Sequence, residues 1–300
     1  MATQQEIEST YDYMDEIFRS SLGEFADITC AWFDGDYGKS LATAQEEKHA
    51  RILSALEFQP GHRILDIGCG WGPLLHAVRR AGGVAVGLTL SPRQAKHCRD
   101  AGFEVHLLDW RKADIKKLGK FDAIASVGAF EHFCSESDYF AGKQEDTYAA
   151  FFEFAADALS GKYLFLQTMV WGSNKPDTNQ CKLSAPKGSN ESVVAHMREF
   201  YPGSFLPSGL PQITRSAGPR LELVSVSNGR MDYIETLGRW DEAVRSNPRL
   251  PLLAMKLVPR YLRSREFRTR IRSMRYGYNR QCFVRDIFDH LRLVFRLRDT

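Results

Sequence analysis

The sequence contains no long apolar run and no closely spaced cysteines. A transmembrane helix is not expected, because no stretch of about 18 consecutive apolar residues occurs. Residues 1–9 are polar and acidic, which gives no sign of a secretory leader. The six cysteines are scattered without a Cys-x-x-Cys pair, which disfavours disulfides and metal sites. We therefore expect a soluble, cytoplasmic protein without a metal.

The sequence also lacks an internal repeat and a long low-complexity tract. Its hydrophobic content of 43% over 300 residues is enough for one large core without disulfides or metals. We expect one domain with a covering lid.

A glycine-rich motif at residues 64–72, Ile-Leu-Asp-Ile-Gly-Cys-Gly-Trp-Gly, predicts a cofactor site. Its first residues are typical of a parallel strand that is buried on both faces. Gly68, Gly70 and Gly72 then allow a tight turn and a close approach of the backbone to a ligand. We expect these glycines and the preceding Asp66 to bind a nucleotide-like cofactor.

An acidic residue is missing where an NAD-binding protein would need one. Such proteins place Asp or Glu at the end of the second strand, about 20 residues after the glycines, to bind the ribose. Residues 84–91 form the predicted second strand, Val-Ala-Val-Gly-Leu-Thr-Leu-Ser, which ends without an acid. The sequence therefore disfavours NAD.

Three motifs in order identify a family resemblance. The motif at 64–72 is followed by Gly-Leu-Thr-Leu-Ser at 87–91, with Gln94 beyond it, and by Ser-Val-Gly-Ala-Phe-Glu-His-Phe at 126–133. This combination resembles the cyclopropane fatty acid synthase and mycolic acid cyclopropane synthase family of S-adenosylmethionine-dependent methyltransferases. The resemblance extends over nearly the whole chain, through segments at 11–12, 29–33, 44–48, 199–207 and 278–282.

The resemblance implies an α/β fold of the Rossmann-like class I methyltransferase type. Its sheet has seven mostly parallel strands, of which the last is antiparallel. The predicted parts are an N-terminal helical cap over the cofactor (1–57), the cofactor-binding core (58–170), a helical insertion covering the substrate (171–286) and the last strand (287–300). Alternating βα patterning and the resemblance place strands near 63–67, 84–90, 104–109, 121–127, 162–170, 221–227 and 291–297.

The cofactor that the resemblance implies is S-adenosylmethionine. Thr89 and Gln94 are expected to hydrogen-bond its ribose in place of the usual acid. Trp110 follows the third strand, where its ring would cover the adenine face. Tyr11 and Thr29 match family positions near the cofactor carboxylate.

The family's reaction transfers a methyl group to a double bond and so produces a carbocation. A sulfonium methyl can react with an alkene when the two are held in line and water is excluded. Aromatic faces stabilise a nearby cation, and we favour Tyr233 and Tyr278 for this role. The other aromatic residues at family-matched positions are Tyr11, Trp32, Phe33 and Phe130.

The resemblance also implies a bound bicarbonate ion that accepts the proton lost on ring closure. The matching positions are Cys30, Val127, Glu131, Gln167 and Tyr233. A carboxylate at the end of a core strand is rarely buried without a function, which favours a catalytic Glu131. His132 is either a hydrogen-bonding residue at the strand end or a packed ring.

Gln167 departs from the family pattern, because well-known members have His at this position. A glutamine amide can donate a hydrogen bond to an anion, but it cannot exchange a proton near neutral pH. Bicarbonate binding is therefore compatible with Gln167, whereas the substrate or the product can differ.

A basic arm extends from Lys256 to Arg285, with ten Lys or Arg residues and one acid, Glu266. One interpretation is a solvated helical surface. The other is a docking surface for an anionic carrier, either an acyl carrier protein or phospholipid headgroups, with at most peripheral membrane contact. Nucleic acid is not expected, since no known nucleic-acid-binding motif is present.

The sequence thus predicts an S-adenosylmethionine-dependent C-methyltransferase of the cyclopropane synthase type, acting on a double bond of a lipid or acyl chain. A secondary-metabolite methyltransferase or cyclopropanase on the same scaffold is the alternative that Gln167 favours. A catalytically inactive lipid-binding or acyl-carrier-binding protein is a third interpretation. The intact glycine turn and Glu131 argue against it.

Overall fold

The structure, a computed structural model, describes residues 15–23 and 26–299. The seven strands are β1 (Arg63–Ile67), β2 (Val84–Thr89), β3 (Glu104–Leu107), β4 (Phe121–Val127), β5 (Leu159–Trp171), β6 (Leu221–Asn228) and β7 (Phe288–Leu297). The α-helices of the described residues are α1 (Asp15–Leu22), α2 (Leu41–Ala55), α3 (Pro73–Arg80), α4 (Pro92–Asp100), α5 (Ile115–Leu118), α6 (Glu136–Phe140), α7 (Gln144–Ala158), α8 (Asn190–Phe200), α9 (Leu210–Ser216), α10 (Arg230–Arg245), α11 (Leu250–Arg263), α12 (Arg265–Arg275) and α13 (Tyr278–Val284).

All seven strands belong to one sheet of order β3-β2-β1-β4-β5-β7-β6. Strands β1 to β5 are parallel, whereas β7 lies antiparallel between β5 and β6. The expected fold class is therefore confirmed. The fifth strand begins earlier than predicted because Leu159 already pairs with Phe121, ahead of an irregularity in the ladder. The third strand ends at Leu107, earlier than predicted, and Asp109 then caps a short 3-10 helix.

The hydrophobic core has one layer on each face of the sheet. Adjacent residues of a strand point to opposite faces. Accordingly, Leu65 belongs to one buried cluster and its neighbour Ile64 to another. A third buried cluster lies under the lid and includes Met169, near the end of β5, with Trp240 of α10.

The glycine turn after β1 is fixed by close packing. Gly68 has a φ of +88°, and a Cβ atom placed on it would lie 2.3 Å from the Cβ of Ala129, which follows β4. Only glycine fits there, because both the backbone conformation and the space exclude a side chain. Gly72, also left-handed, precedes Pro73 at the start of α3.

The lid, which we define as helices α1, α8 and α10 to α13, consists of helices from two distant parts of the chain. Helix α1 packs against α10 and α11, and Asn247 donates hydrogen bonds to the hydroxyls of Ser20 and Ser21 at 2.9 Å. Within residues 15–23 and 26–299, no helix is long and apolar enough to cross a membrane. The six cysteines all fall in this described part and are buried thiols without disulfides.

Candidate active site

Two cavities meet beyond the carboxyl ends of the parallel strands, where ligands bind in open α/β sheets. The first, the cofactor cavity, has a volume of about 130 Å³ and is lined by the glycine turn and the ends of β2 and β4. The second, the lid cavity, has a volume of about 660 Å³ and lies between the end of β5 and the lid helices. The residues that line both cavities are Ala26, Ile28, Thr29, Trp71, Gly128 and His132.

The glycine turn leaves room for a ligand at Gly70. This residue lines the cofactor cavity, has a φ of +54°, and would place a Cβ atom more than 4 Å from any other heavy atom. The space next to Gly70 is therefore open, in contrast to the filled space next to Gly68.

The end of β2 presents neutral polar groups to the cofactor cavity. Thr89 donates its hydroxyl to Oε1 of Gln94 at 2.8 Å, and both residues are buried and line the cavity. Ser91 caps the helix that carries Gln94 and so fixes its position. Trp110 also lines the cavity, while its ring packs against Phe151 with centroids 5.5 Å apart.

A buried ion pair fixes Thr29 at the boundary between the cavities. Lys48 lies on α2, and its Nζ is 2.6 Å from both Asp27 Oδ2 and the Thr29 hydroxyl. Although burial favours the neutral acid, Lys48 and His49 hold the pKa of Asp27 well below its usual value. No sequence pattern indicated this network, because a lysine in a charged helix resembles a solvated residue.

Asp66 is a buried acceptor on the wall of the cofactor cavity. Its side chain is 3% exposed, and its Oδ1 has no hydrogen-bond partner. Burial and the charge of Asp27 raise the pKa of Asp66 to about 7. A ligand that carries a cationic or hydrogen-bond-donating group fits this wall.

Glu131 lies in the lid cavity just after β4 and is 3% exposed. Its Oε2 accepts a hydrogen bond from the Thr168 hydroxyl at 3.0 Å. Burial raises the pKa of Glu131 to about 7, despite this bond and backbone N–H groups that favour the carboxylate. Near neutral pH the side chain is thus able to accept or release a proton.

Gln167 is fully buried and lines the lid cavity, as Glu131 does. Its Nε2 donates to the carbonyl of Cys30 at 3.3 Å, whereas its Oε1 has no partner. Burial raises the pKa of the Cys30 thiol to about 12, so this side chain stays protonated. The lid cavity is therefore lined both by an amide oxygen without a hydrogen-bond partner and by a titratable carboxyl group.

A second imidazole lies on the wall of the lid cavity, at a position that the sequence did not suggest. His290 on β7 pairs with Met169 on β5, and both residues line the cavity. The rings of His290 and Tyr233 have centroids 5.0 Å apart. Burial and the charge of Arg292 hold the pKa of His290 well below its usual value. The predicted last strand (287–300) included His290, but no sequence pattern indicated that its side chain reaches the cavity.

The lid cavity brings together most of the predicted catalytic residues: Cys30, Glu131, His132, Gln167 and Tyr233. His132 is a buried ring whose Nδ1 lies 2.7 Å from the Ser204 hydroxyl, and burial lowers its pKa to about 4. Thr29, Asp66, Gly68, Gly70, Thr89, Gln94 and Trp110 line the cofactor cavity.

Other predicted site residues lie elsewhere. Tyr278 does not line the lid cavity, because its ring packs against His196 with centroids 4.5 Å apart. Val127 lines the cofactor cavity rather than the lid cavity. Gly72 lines neither cavity and instead supports the turn. Tyr11 lies outside the described residues.

Three further aromatic residues at family-matched positions also lie away from the lid cavity. Trp32 lies against the guanidinium group of Arg292, 4.0 Å from its ring centroid. Phe33 and Phe130 belong to buried clusters.

The strand order with an antiparallel β7, together with the cavity at the glycine turn, defines a class I S-adenosylmethionine-dependent methyltransferase. Residues 1–254 match the family described as "Mycolic acid cyclopropane synthetase", and the chain belongs to this family. The cofactor is therefore S-adenosylmethionine.

The chain is 30% identical to cyclopropane mycolic acid synthase 1 of Mycobacterium tuberculosis, over 86% of this chain and 88% of that protein. It is 33% identical to the cyclopropane-fatty-acyl-phospholipid synthase of Escherichia coli K12, over 77% of this chain and 54% of that longer protein. Among solved structures, mycolic acid cyclopropane synthase CmaA1 complexed with SAH and CTAB superposes with a TM-score of 0.74, at 26% identity and 98% coverage of both chains.

Proposed function

We propose that this protein transfers a one-carbon unit from S-adenosylmethionine to a double bond of an unsaturated lipid or acyl chain and closes a cyclopropane ring. The observation that carries this proposal is that the two cavities meet at Gly128 and His132, while Glu131 and Gln167 line the larger of them. A cavity of about 660 Å³ that meets a cofactor cavity and contains a buried carboxyl group suits an alkene substrate. The relatives named above, which act on mycolic acids and on phospholipid acyl chains by name, support this substrate class.

Bound in the cofactor cavity, S-adenosylmethionine would supply an electrophilic methyl group. Gly70 leaves the space for it, while Asp66, Thr29 and the Thr89–Gln94 pair offer polar groups to hold it. A substrate chain that fills the lid cavity would exclude water from the junction, which favours attack by a weak nucleophile such as an alkene.

The lid cavity can stabilise the positive charge that forms on the substrate. As one alkene carbon bonds to the methyl carbon, the bond from this methyl carbon to the cofactor sulfur would break with its electron pair left on sulfur, and the other alkene carbon would become cationic. The rings of Tyr201, Tyr233 and Trp240 line the cavity and present electron-rich faces. Loss of a proton from the added methyl group then closes the ring, and the C–H electron pair forms the last C–C bond.

The proton acceptor would be Glu131 or a bicarbonate ion held beside it. The unpartnered Oε1 of Gln167 can accept from the bicarbonate hydroxyl, and its amide NH₂ can donate to a bicarbonate oxygen. Glu131, with its pKa near 7, can then take up the proton.

Removal of carbonate from the buffer tests the role of bicarbonate. If the ion accepts the proton, activity should fall in carbonate-free buffer and return when bicarbonate is added. Gln167→His should retain activity, because both side chains offer an N–H donor, but its imidazole should titrate below the usual histidine range, since burial lowers the pKa of His132 and of His290 in the same cavity. Turnover of an unsaturated lipid, followed by intact-mass analysis of the product, provides the measurement.

A rate that does not respond to carbonate would contradict this role and leave the proton to Glu131 or to the substrate itself. The secondary-metabolite methyltransferase would then become the better interpretation, since Gln167 departs from the His of well-known family members.

The basic arm provides a second test, which concerns the anionic carrier of the substrate. Arg268 donates to the carbonyls of Tyr261 and Leu262, and Arg270 is buried, so both support the fold. Arg265 and Arg272 are exposed. Reversal of these two charges to Glu should raise KM for a carrier-bound substrate several-fold at low salt and flatten its salt dependence.

A matched control reverses the exposed Lys112 and Lys117, which lie outside the basic arm. This variant should behave like the unmodified protein, and a short soluble substrate should respond to neither variant. Equal effects of the arm variant on both substrates would show that the arm has only a structural role.

A further inference from the structure

Helix α11 exposes an apolar stripe on the side that faces away from the protein. Its exposed members are Leu252 (57%), Met255 (71%), Val258 (49%) and Leu262 (70%). Because successive residues of a helix are rotated by about 100°, these positions share one side. Leu253 is buried on the opposite side. The helix is therefore apolar on both its inner and its outer face.

The stripe is larger than the isolated apolar side chains that are common on protein surfaces. Positions 252 to 262 span about 15 Å along the helix axis. Single exposed apolar side chains are normal on proteins, whereas contiguous patches mark interaction sites. An apolar face of three turns thus indicates a partner.

Cations border the stripe, and α11 contains no acidic residue. Lys256 and Arg263 project beside the stripe on the same helix, and both are exposed. The exposed Arg265 and Arg272 of α12 follow directly. A helix with an apolar face and flanking Lys or Arg residues is typical of segments that lie in the interface of an anionic membrane.

The helix that carries the stripe begins at the opening of the lid cavity. Leu250 begins α11 and lines the cavity, as do Asp241 and Arg245 at the end of α10. The side chains of Asp241 and Arg245 are 53% and 71% exposed, so the cavity reaches solvent there. An acyl chain entering at this point would leave a bilayer beside α11 without crossing water.

We propose that the outward apolar stripe of α11 inserts into the surface of an anionic lipid bilayer and that the acyl chain enters the lid cavity from this bilayer. The second half of this statement rests on the proposed function. A carrier protein would be attracted by the basic residues alone, whereas the apolar stripe gains most from burial among lipid chains. The occupant is therefore a bilayer rather than an acyl carrier protein.

Vesicle co-sedimentation tests the insertion. The full chain should bind vesicles of phosphatidylcholine mixed with phosphatidylglycerol more tightly than vesicles of phosphatidylcholine alone. Met255→Glu combined with Leu262→Glu should weaken this binding by at least about tenfold, because two buried apolar side chains would become charged. As a control, Val84→Glu combined with Val224→Glu changes two exposed apolar residues on the sheet and should bind as the unmodified protein does.

Equal vesicle binding by the stripe variant, or no preference for the anionic vesicles, would overturn the proposal. Light scattering without lipid examines another occupant: a dimer of the unmodified protein that dissociates in the stripe variant would assign the stripe to a second copy of the chain. Calorimetry with S-adenosylhomocysteine separates the two proposals. If all variants retain their affinity for S-adenosylhomocysteine, they are folded, and a loss of vesicle binding can be assigned to the stripe. If the unmodified protein has no affinity for S-adenosylhomocysteine, the proposed function is contradicted, but the membrane proposal is not.

Discussion

Glu131→Gln is expected to lower turnover by at least about 100-fold, the usual contribution of a positioned proton acceptor. The substitution preserves size and hydrogen bonding while removing the ability to take up a proton. Affinity for S-adenosylhomocysteine should change little, since Glu131 lines the lid cavity rather than the cofactor cavity. Steady-state kinetics on an unsaturated lipid and calorimetry are the measurements. Turnover equal to that of the unmodified protein would remove Glu131 from the mechanism.

The pH dependence gives this prediction a second readout. Burial raises the pKa of Glu131 to about 7, so the carboxylate form and the activity should be lost as pH falls through this value. Thr168 donates a hydrogen bond that favours the carboxylate. Thr168→Val should therefore raise the pKa and move the acidic limb of the rate profile to higher pH.

The stability of the folded protein should depend on pH in the opposite direction from its activity. The folded protein binds a proton at Glu131 between the ordinary glutamate pKa and about 7, where the unfolded chain has lost it. The contribution of this group to stability therefore falls as pH rises through this window. Glu131→Gln should raise the melting temperature more at about pH 8 than at about pH 5. The accompanying gain in the free energy of unfolding has an upper limit of about 3 kcal/mol.

Gly70→Asn should raise the dissociation constant for S-adenosylhomocysteine by at least about 100-fold, because a side chain would occupy the open space in the cofactor cavity. Asn tolerates the left-handed backbone better than most residues, so the loss of stability should be small. Calorimetry and thermal unfolding measure the two effects separately.

Two glycine variants serve as controls for this prediction. Gly35→Asn places the same side chain at an exposed left-handed position outside both cavities and should leave cofactor affinity unchanged. Gly68→Ala should instead destabilise the fold, because its Cβ atom would collide with Ala129. Cofactor affinity in Gly70→Asn equal to that of the unmodified chain would refute the assignment of the cavity.

The sequence predicted the local features of this fold well. Buried strands such as β1 and the turn at Gly68 depend on short patterns of apolar residues and glycines, which are visible along the chain. The position of the antiparallel β7 required the family resemblance, because no local pattern determines which strands pair. Strand ends were less accurate, as Leu159 shows, because pairing with a neighbouring strand extends them.

Residues that depend on distant contacts could not be predicted. His290 reaches the lid cavity through its pairing with Met169, and Lys48 is buried only because Asp27 lies beside it. Tyr278 was assigned to the site by its position in a motif, yet its side chain packs against His196. The charges of the basic arm were visible in the sequence, but the orientation of α11 determines which apolar residues face outward.

The contact between Gly68 and Ala129 restricts how this enzyme can evolve. Ala129 precedes Glu131 by two positions, so a larger side chain at either contacting residue would displace both the cofactor turn and the proton acceptor. A substitution at this contact would therefore impair methyl transfer, whatever the substrate. Substitutions in the lid helices carry no such penalty. We therefore expect Gly68 and the short segment from Ala129 to Glu131 to be inherited nearly intact, while the lid diverges to admit other lipids.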